Sequence, residues 1–269
     1  FLNASLEATR MKKVIALFAL MASSLSYASG GGIHLDEHKT DLGDTASLQR
    51  GAQTFMNYCM GCHSLEHGRY NRVAKDLDIP EELMQENLNF AGKRFGDLMT
   101  IAMRTEDSKK WFGATPPDLT LVTRVRGGDG DWLYTYLRSF YEDKSRPWGV
   151  NNTAFKDVGM PHVLADLQGL QKLGCAPVST GFDSLTGTEI MVDSCELAEP
   201  KEVLYLAEEG QLTPKEYDNL VYDLVNFLVY MSEPIALERQ RLGLWVLLFL
   251  FIFLIPVYLL NKEYWKDIH

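Results

Sequence analysis

Two stretches of this chain carry almost no polar side chain, and much of what lies between them alternates apolar and polar positions with the period of a helix. The longer stretch, LGLWVLLFLFIFLIPVYLL from Leu242 to Leu260, is uncharged. At ~1.5 Å of rise per residue it covers about 28 Å, close to the hydrocarbon thickness of a bilayer, so it predicts a transmembrane helix. Pro256 is tolerated within such a span. Arg239 and Arg241 precede it, Lys262 and Lys266 follow it, and Trp245, Tyr258, Tyr264 and Trp265 stand near the two interfaces. Flanking charge alone therefore does not orient it. The shorter stretch, VIALFALMASSL from Val14 to Leu25, follows Met11-Lys12-Lys13 and leads into Ser26-Tyr27-Ala28. That is the order of a secretory signal, with cleavage expected after Ala28, and export of the chain supplies the missing orientation. The expected organisation is an upstream segment and signal over 1–28, an exported domain over 29–238, an anchor over 239–261 and a short internal tail over 262–269. Phe1 to Arg10 shows no pattern and is expected to lie upstream of the true start at Met11.

Between the two apolar stretches the helical period recurs. TASLQRGAQTFMNYC (Thr45 to Cys59) places Leu48, Ala52, Phe55 and Tyr58 or Cys59 on one stripe. Glu81 to Leu88, Phe95 to Arg104 and Asp131 to Tyr141 are further expected helices. Near the end of the exported part, Thr213, Pro214 and Glu216 read as a cap, a first-turn proline and a capping-box acid. Leu220, Val221, Leu224, Val225 and Leu228 then form an apolar stripe. This helix is expected to cross the amino-terminal one where Gly51 or Ala52 permits close approach. No segment shows a sustained run of strand-like alternation, so the expected fold is mainly α with long loops. The roughly 210 residues between signal and anchor suffice for one domain with insertions.

Charge changes the picture only by exclusion. The formal net charge is -10, and about -12 without residues 1–28, which hold Arg10, Lys12 and Lys13 against Glu7. Such acidity argues against a nucleic-acid partner and fits a basic partner or plain solubility. Asp193, Glu196, Glu199, Glu202, Glu208 and Glu209 are a candidate acidic surface for a basic electron acceptor, or simply a solvated face.

The chemistry concentrates in CMGCH, residues 59 to 63. Two thiols and an imidazole at this spacing admit a redox dithiol, half a zinc site or a covalently attached haem. A redox dithiol predicts a surrounding βαβ pattern, which is absent. Zinc requires further ligands at finger spacing, and the nearest, His67, stands alone. Haem fits unaided: Cys59 and Cys62 add to its vinyl groups and His63 reaches the iron. One motif implies one haem. Electron transfer then needs a second axial ligand, from among His67, Met84, Met99, Met103, Met160, His162, Met191 and Met231. His67 lies too close in sequence to reach the opposite face. Met84, Met99, Met103 and Met231 fall on helical stripes, where methionine is usually core filler, and Met191 sits between the remaining cysteines. Met160, in VGMPHVL directly before Pro161, stands in an extended loop where the proline bars a helix. Spacing leaves both Met160 and its neighbour His162 open. Cys175 and Cys195 are the other two cysteines, and in an oxidising compartment they are expected to close a disulfide, stabilising by roughly 3 kcal/mol in the chain-entropy model.

In these residues the chain resembles the cytochrome c1 subunits of bacterial cytochrome bc1 complexes. RGAQTFMNYCMGCHSL (Arg50 to Leu65) is similar to that family's attachment segment, GATPPDLT (Gly113 to Thr120) to its haem-edge loop and GMPHVL (Gly159 to Leu164) to its distal-ligand segment. The apolar span behind Glu233-Pro234 is similar to its anchor. The resemblance implies a class I cytochrome c-like haem domain with long loop insertions. It implies axial ligands His63 and Met160, Pro117 near the haem edge and Arg124 paired with a propionate. Leu173 to Pro200 corresponds to a segment of variable length in the family and inherits no role. The implied setting is a bacterial inner membrane with the haem domain in the periplasm. The implied assembly is a dimeric complex with cytochrome b and a Rieske iron-sulfur protein, a cytochrome c as acceptor, and lipid around the anchor. Two other readings remain to be separated from this one: a free-standing membrane-tethered cytochrome serving a terminal oxidase, and a haem sensor or peroxidase with an open sixth position.

Overall fold

Two long helices of opposite sequence ends cross and hold the domain together. The computed structural model describes residues 33–197 and 202–266, so the signal segment and Glu199 lie outside the described residues. Helix α1 spans Thr45–Tyr58. It is followed by β1 (Leu65–Arg69), α2 (Tyr70–Asp76), α3 (Glu81–Asn87), β2 (Leu98–Met99), α4 (Thr105–Phe112), α5 (Val122–Arg126) and α6 (Asp131–Arg138). Then come β3 (Phe140–Glu142), β4 (Val150–Asn152), α7 (Ala165–Gln168), β5 (Gly169–Gly174), β6 (Pro177–Phe182), β7 (Glu189–Asp193) and β8 (Val203–Glu209). The long helices α8 (Pro214–Ser232) and α9 (Ala236–Tyr264) close the order.

Asp44 caps α1 by accepting from the Ser47 N–H at 3.0 Å. Thr213 and Glu216 form the reciprocal capping box of α8 with Pro214 at its first position, as the sequence predicts. The crossing of α1 and α8 depends on Gly51: a Cβ there would lie 2.0 Å from the Asp223 carbonyl oxygen. With no side chain at that point, Phe55 and Phe227 meet at 5.9 Å between ring centroids, both fully buried. The same crossing is stitched by polar groups. Asp223 accepts from Ser47 Oγ at 2.6 Å, from Arg50 Nε at 2.6 Å and from Arg50 Nη2 at 3.0 Å.

The fold is mainly α, with a β component the periodicity does not announce: among the described residues, four two-stranded antiparallel ribbons pair β1 with β2, β3 with β4, β5 with β8 and β6 with β7. The expected helix over Phe95 to Arg104 does not form. The Asp97 carboxylate accepts from the Arg94 N–H at 3.0 Å, favouring a turn, and Met99 pairs with Leu65 as a strand. Likewise the expected helix from Asp131 stops at Arg138, because Phe140–Glu142 pairs with Val150–Asn152. Cys175 and Cys195 are disulfide-bonded, as expected, and close the loop that carries the β6–β7 hairpin.

Helix α9 has a mean hydropathy of 2.7 over its most apolar window, all of it exposed, and contains Pro256. Twenty-nine residues at ~1.5 Å each exceed the ~30 Å of a bilayer core. So large an exposed apolar surface needs lipid around it. The helix joins the domain through Glu233, which pairs with both Arg124 and Arg239.

Candidate functional site

Helix α1 delivers the CMGCH motif by ending on it. The Cys59 N–H still donates to Phe55 O at 2.9 Å, and Cys59 O accepts from Cys62 N at 3.0 Å and His63 N at 2.9 Å. Both thiols and the imidazole are thereby wound onto one turn. Neither Cys59 nor Cys62 is in a disulfide; Cys59 is buried and Cys62 half-buried. Burial pushes the Cys59 thiol up to about 12, with a smaller contribution from Cys62, and raises Cys62 as well. A redox dithiol or a zinc pair works as thiolate. Burial thus disfavours the thiolate at both positions.

The strand behind the motif docks the proline-rich loop against it. Ser64 O accepts from the Leu119 N–H at 3.0 Å, and the Asp118 carboxylate accepts from Glu66 N at 2.7 Å and Thr120 N at 2.9 Å. Pro117 O is thereby held 2.7 Å from His63 Nδ1. A carbonyl can only accept, so Nδ1 carries the proton and Nε2 presents its lone pair. Burial lowers the His63 pKa, partly offset by the Pro117 bond and by Asp118, and the net direction favours the neutral form a metal ligand requires. The family resemblance implies Pro117 near the haem edge; in the structure its carbonyl orients the imidazole.

The loop of Met160 is anchored by buried Val158 and Leu164. The β3–β4 ribbon positions it. Asn151 Oδ1 accepts from Asp157 N at 2.9 Å, and Asn152 Oδ1 accepts from Ala154 N at 2.9 Å and Phe155 N at 3.1 Å. Arg146 Nη2 donates to Asp157 O at 2.7 Å. The Tyr136 hydroxyl of α6 donates to Met160 Sδ at 3.4 Å. Asn151, Asn152, Arg146 and Tyr136 carry no motif, and no sequence signal singles them out.

Most of the other candidate ligands are engaged elsewhere or lie on the surface. His162 stacks on Phe140 at 4.7 Å, bonds through Nε2 to Gln168 Oε1 at 2.7 Å, and is brought down to about 4 mainly by burial. Met84, Met99 and Met231 are core residues, His67 is exposed and Met191 is half-exposed on the hairpin. Met103 lines a cleft of about 150 Å³ with Cys62, Ile101, Thr115 and Pro116. A larger cavity, about 440 Å³ beside Asp166, Glu208 and Glu209, holds no thiol or imidazole and is not the site.

Arg124, for which the resemblance implies a propionate partner, pairs with Glu233 at the root of the anchor. Arg126, two residues on, lies 4.5 Å over the Trp132 ring, and Trp132 stacks on Tyr136 at 4.9 Å. Of the two cations, Arg126 belongs to the aromatic cluster behind Met160.

Two thiols free of a disulfide, wound onto one turn with an imidazole whose Nδ1 is bonded to Pro117 O, form a donor set that fits haem c. Comparison with known proteins agrees. The model of the Cytochrome C1 family matches residues 37–170 and 184–268, passing over part of the disulfide-closed loop. A cytochrome c1 of Allochromatium vinosum is 52% identical over 260 residues, covering 96% of this chain and 99% of the relative. A Nitrosomonas europaea protein named ammonia monooxygenase gamma subunit is 43% identical, covering 97% of this chain and 100% of its own length. A cytochrome c1 of Blastochloris viridis is 26% identical over 88% of each chain.

Proposed function

This chain belongs to the cytochrome C1 family, and from that premise we propose that it is the c-type haem subunit of a respiratory quinol:cytochrome c oxidoreductase. In this reading it relays single electrons from a Rieske iron-sulfur protein to a soluble or tethered cytochrome c, beside a cytochrome b subunit in a dimeric complex. Haem c, bonded to Cys59 and Cys62, supplies a one-electron couple whose potential His/Met ligation raises, as a late carrier requires. The observation that carries the reading is the His63 Nδ1 bond to Pro117 O, which fixes the tautomer and offers Nε2 as the proximal ligand. Met160 is the distal ligand in this account, because its rival His162 is committed to Gln168 and Phe140. We assign the propionate-facing cation to Arg126, since Arg124 is committed to Glu233.

The protein is membrane-anchored through α9. With the signal segment expected over 1–28, the haem domain faces the periplasm of a bacterial inner membrane. No residue of the chain acts as an acid, base or nucleophile in this role; quinol chemistry belongs to other subunits.

Purification from membranes through a tag on this chain tests the assembly. Recovery of b-type haem and an iron-sulfur protein in fixed ratio is expected. Recovery of the chain alone would favour a tethered shuttle. Recovery with an ammonia monooxygenase would favour the role named for the Nitrosomonas europaea relative.

A further inference from the structure

The Tyr136 hydroxyl has a single partner among the described residues, and that partner is the sulfur of Met160, 3.4 Å away. Everything else about Tyr136 is fixed. Its ring is stacked on Trp132 at 4.9 Å and 13°, and it meets Phe140 edge-on at 5.2 Å and 70°. Its backbone carbonyl accepts from buried Asn152 Nδ2 at 2.7 Å, so the residue that pins the Met160 loop also pins Tyr136. The hydroxyl cannot swing away without breaking a packed cluster, and no carboxylate or carbonyl competes for its proton among its hydrogen bonds.

A thioether sulfur has two lone pairs. When one is given to a metal, the other remains to accept a hydrogen bond, and a donor there draws electron density off the sulfur. A poorer sulfur donor disfavours the oxidised, more electron-demanding iron more than the reduced one. We propose that Tyr136 is a positioning and tuning residue for this site: its hydroxyl orients the Met160 thioether and raises the reduction potential through a hydrogen bond to the sulfur. The inference rests on Met160 being the distal ligand.

The test uses the full-length haem-loaded chain and reads the potential and the ferric charge-transfer band that marks sulfur ligation. Tyr136→Phe keeps the ring and its stacking and removes only the donor. The band is expected to persist in Tyr136→Phe, and the oxidised form to become favoured by threefold to tenfold. That is a fall of about 30 to 60 mV for one electron at ~59 mV per decade. On a Met160→His background, which has no thioether, adding Tyr136→Phe is expected to leave the potential where Met160→His alone sets it. A wild-type potential retained in Tyr136→Phe, with the band intact, overturns the inference and leaves Met160 ligation standing. An equal fall on both backgrounds also overturns it, by assigning the effect to packing. Absence of the band in the unmodified protein overturns the ligand assignment itself, and the inference with it.

Discussion

Replacing Gly51 with alanine tests whether the crossing of α1 and α8 is what holds the CMGCH turn in place. The added Cβ would start 2.0 Å from a backbone oxygen of Asp223, where ordinary contact begins near 3.4 Å, and 2.7 Å from Phe227 Cβ. No side-chain rotation relieves a clash with backbone, so the helices must separate by more than an ångström. Overpacking of this kind costs about 1 to 3 kcal/mol, with a backbone obstacle at the upper end. Separation also strains the three bonds to Asp223, and weakening one charged hydrogen bond adds about 1.5 kcal/mol. Against this, alanine is better than glycine in a helix by about 1 kcal/mol. The net loss is about 1.5 to 3.5 kcal/mol, which at ~2 to 4 °C per kcal/mol for a domain of this size lowers Tm by roughly 3 to 14 °C. Thermal melts of the detergent-solubilised chain, followed by far-ultraviolet circular dichroism, would measure it. Gly96→Ala, at a site with no neighbour within 4 Å of the added carbon, serves as control. A Gly51→Ala protein that melts with the wild type refutes the close-approach argument.

Three further expectations follow from named contacts. Met160→Ala is expected to abolish the ferric sulfur charge-transfer band and to open the ferrous site to carbon monoxide, read by absorption; a retained band would return the distal position to another residue. Ser in place of both Cys175 and Cys195 is expected to loosen the hairpin by roughly 3 kcal/mol in the chain-entropy model, seen as faster amide exchange over β6 and β7, while the haem spectrum stays unchanged. An altered spectrum would contradict a purely stapling role. His38 is buried with its ring against Tyr222 and Tyr134 and its Nε2 bonded to Tyr222 O, while its backbone N–H donates to Asp131. Burial lowers its pKa, offset in part by the Tyr222 carbonyl and the Asp131 charge. Its contribution to stability is therefore complete above the ordinary histidine value near 6.5 and declines as pH falls below it. Denaturant midpoints between about pH 8 and about pH 5 should fall less in His38→Gln than in the wild type, and parallel curves would argue that His38 does not titrate on unfolding.

The parts of the molecule legible in the sequence are those where one short local pattern carries the information. Helix α1 and its CMGCH turn, the capping box at Thr213, the apolar anchor and the lone pair Cys175 and Cys195 each read directly, and Gly51 marks the helix crossing because only a missing side chain fits there. The site's framing is not local. Pro117 acts through a backbone carbonyl, which leaves no trace in residue type, and Asn151, Asn152 and Tyr136 matter through partners distant in sequence. Phe95 to Arg104 has helical spacing, yet Asp97 turns the chain and Met99 pairs with Leu65. Arg124 and Arg126 are two residues apart with identical side chains, and only the folded structure shows that one pairs with Glu233 at the foot of α9 while the other lies over Trp132. The ribbons are short enough that pairing, rather than alternation, defines them.

The central claim is that this chain carries electrons from a quinol-oxidising complex through a haem held by Cys59, Cys62 and His63. Its most direct test is stopped-flow reduction of the c-type haem by a quinol in the assembly purified through this chain, with and without an inhibitor of quinol oxidation. Reduction by quinol that the inhibitor blocks is the predicted result; a haem that quinol leaves oxidised, or reduces equally with the inhibitor present, would contradict the account.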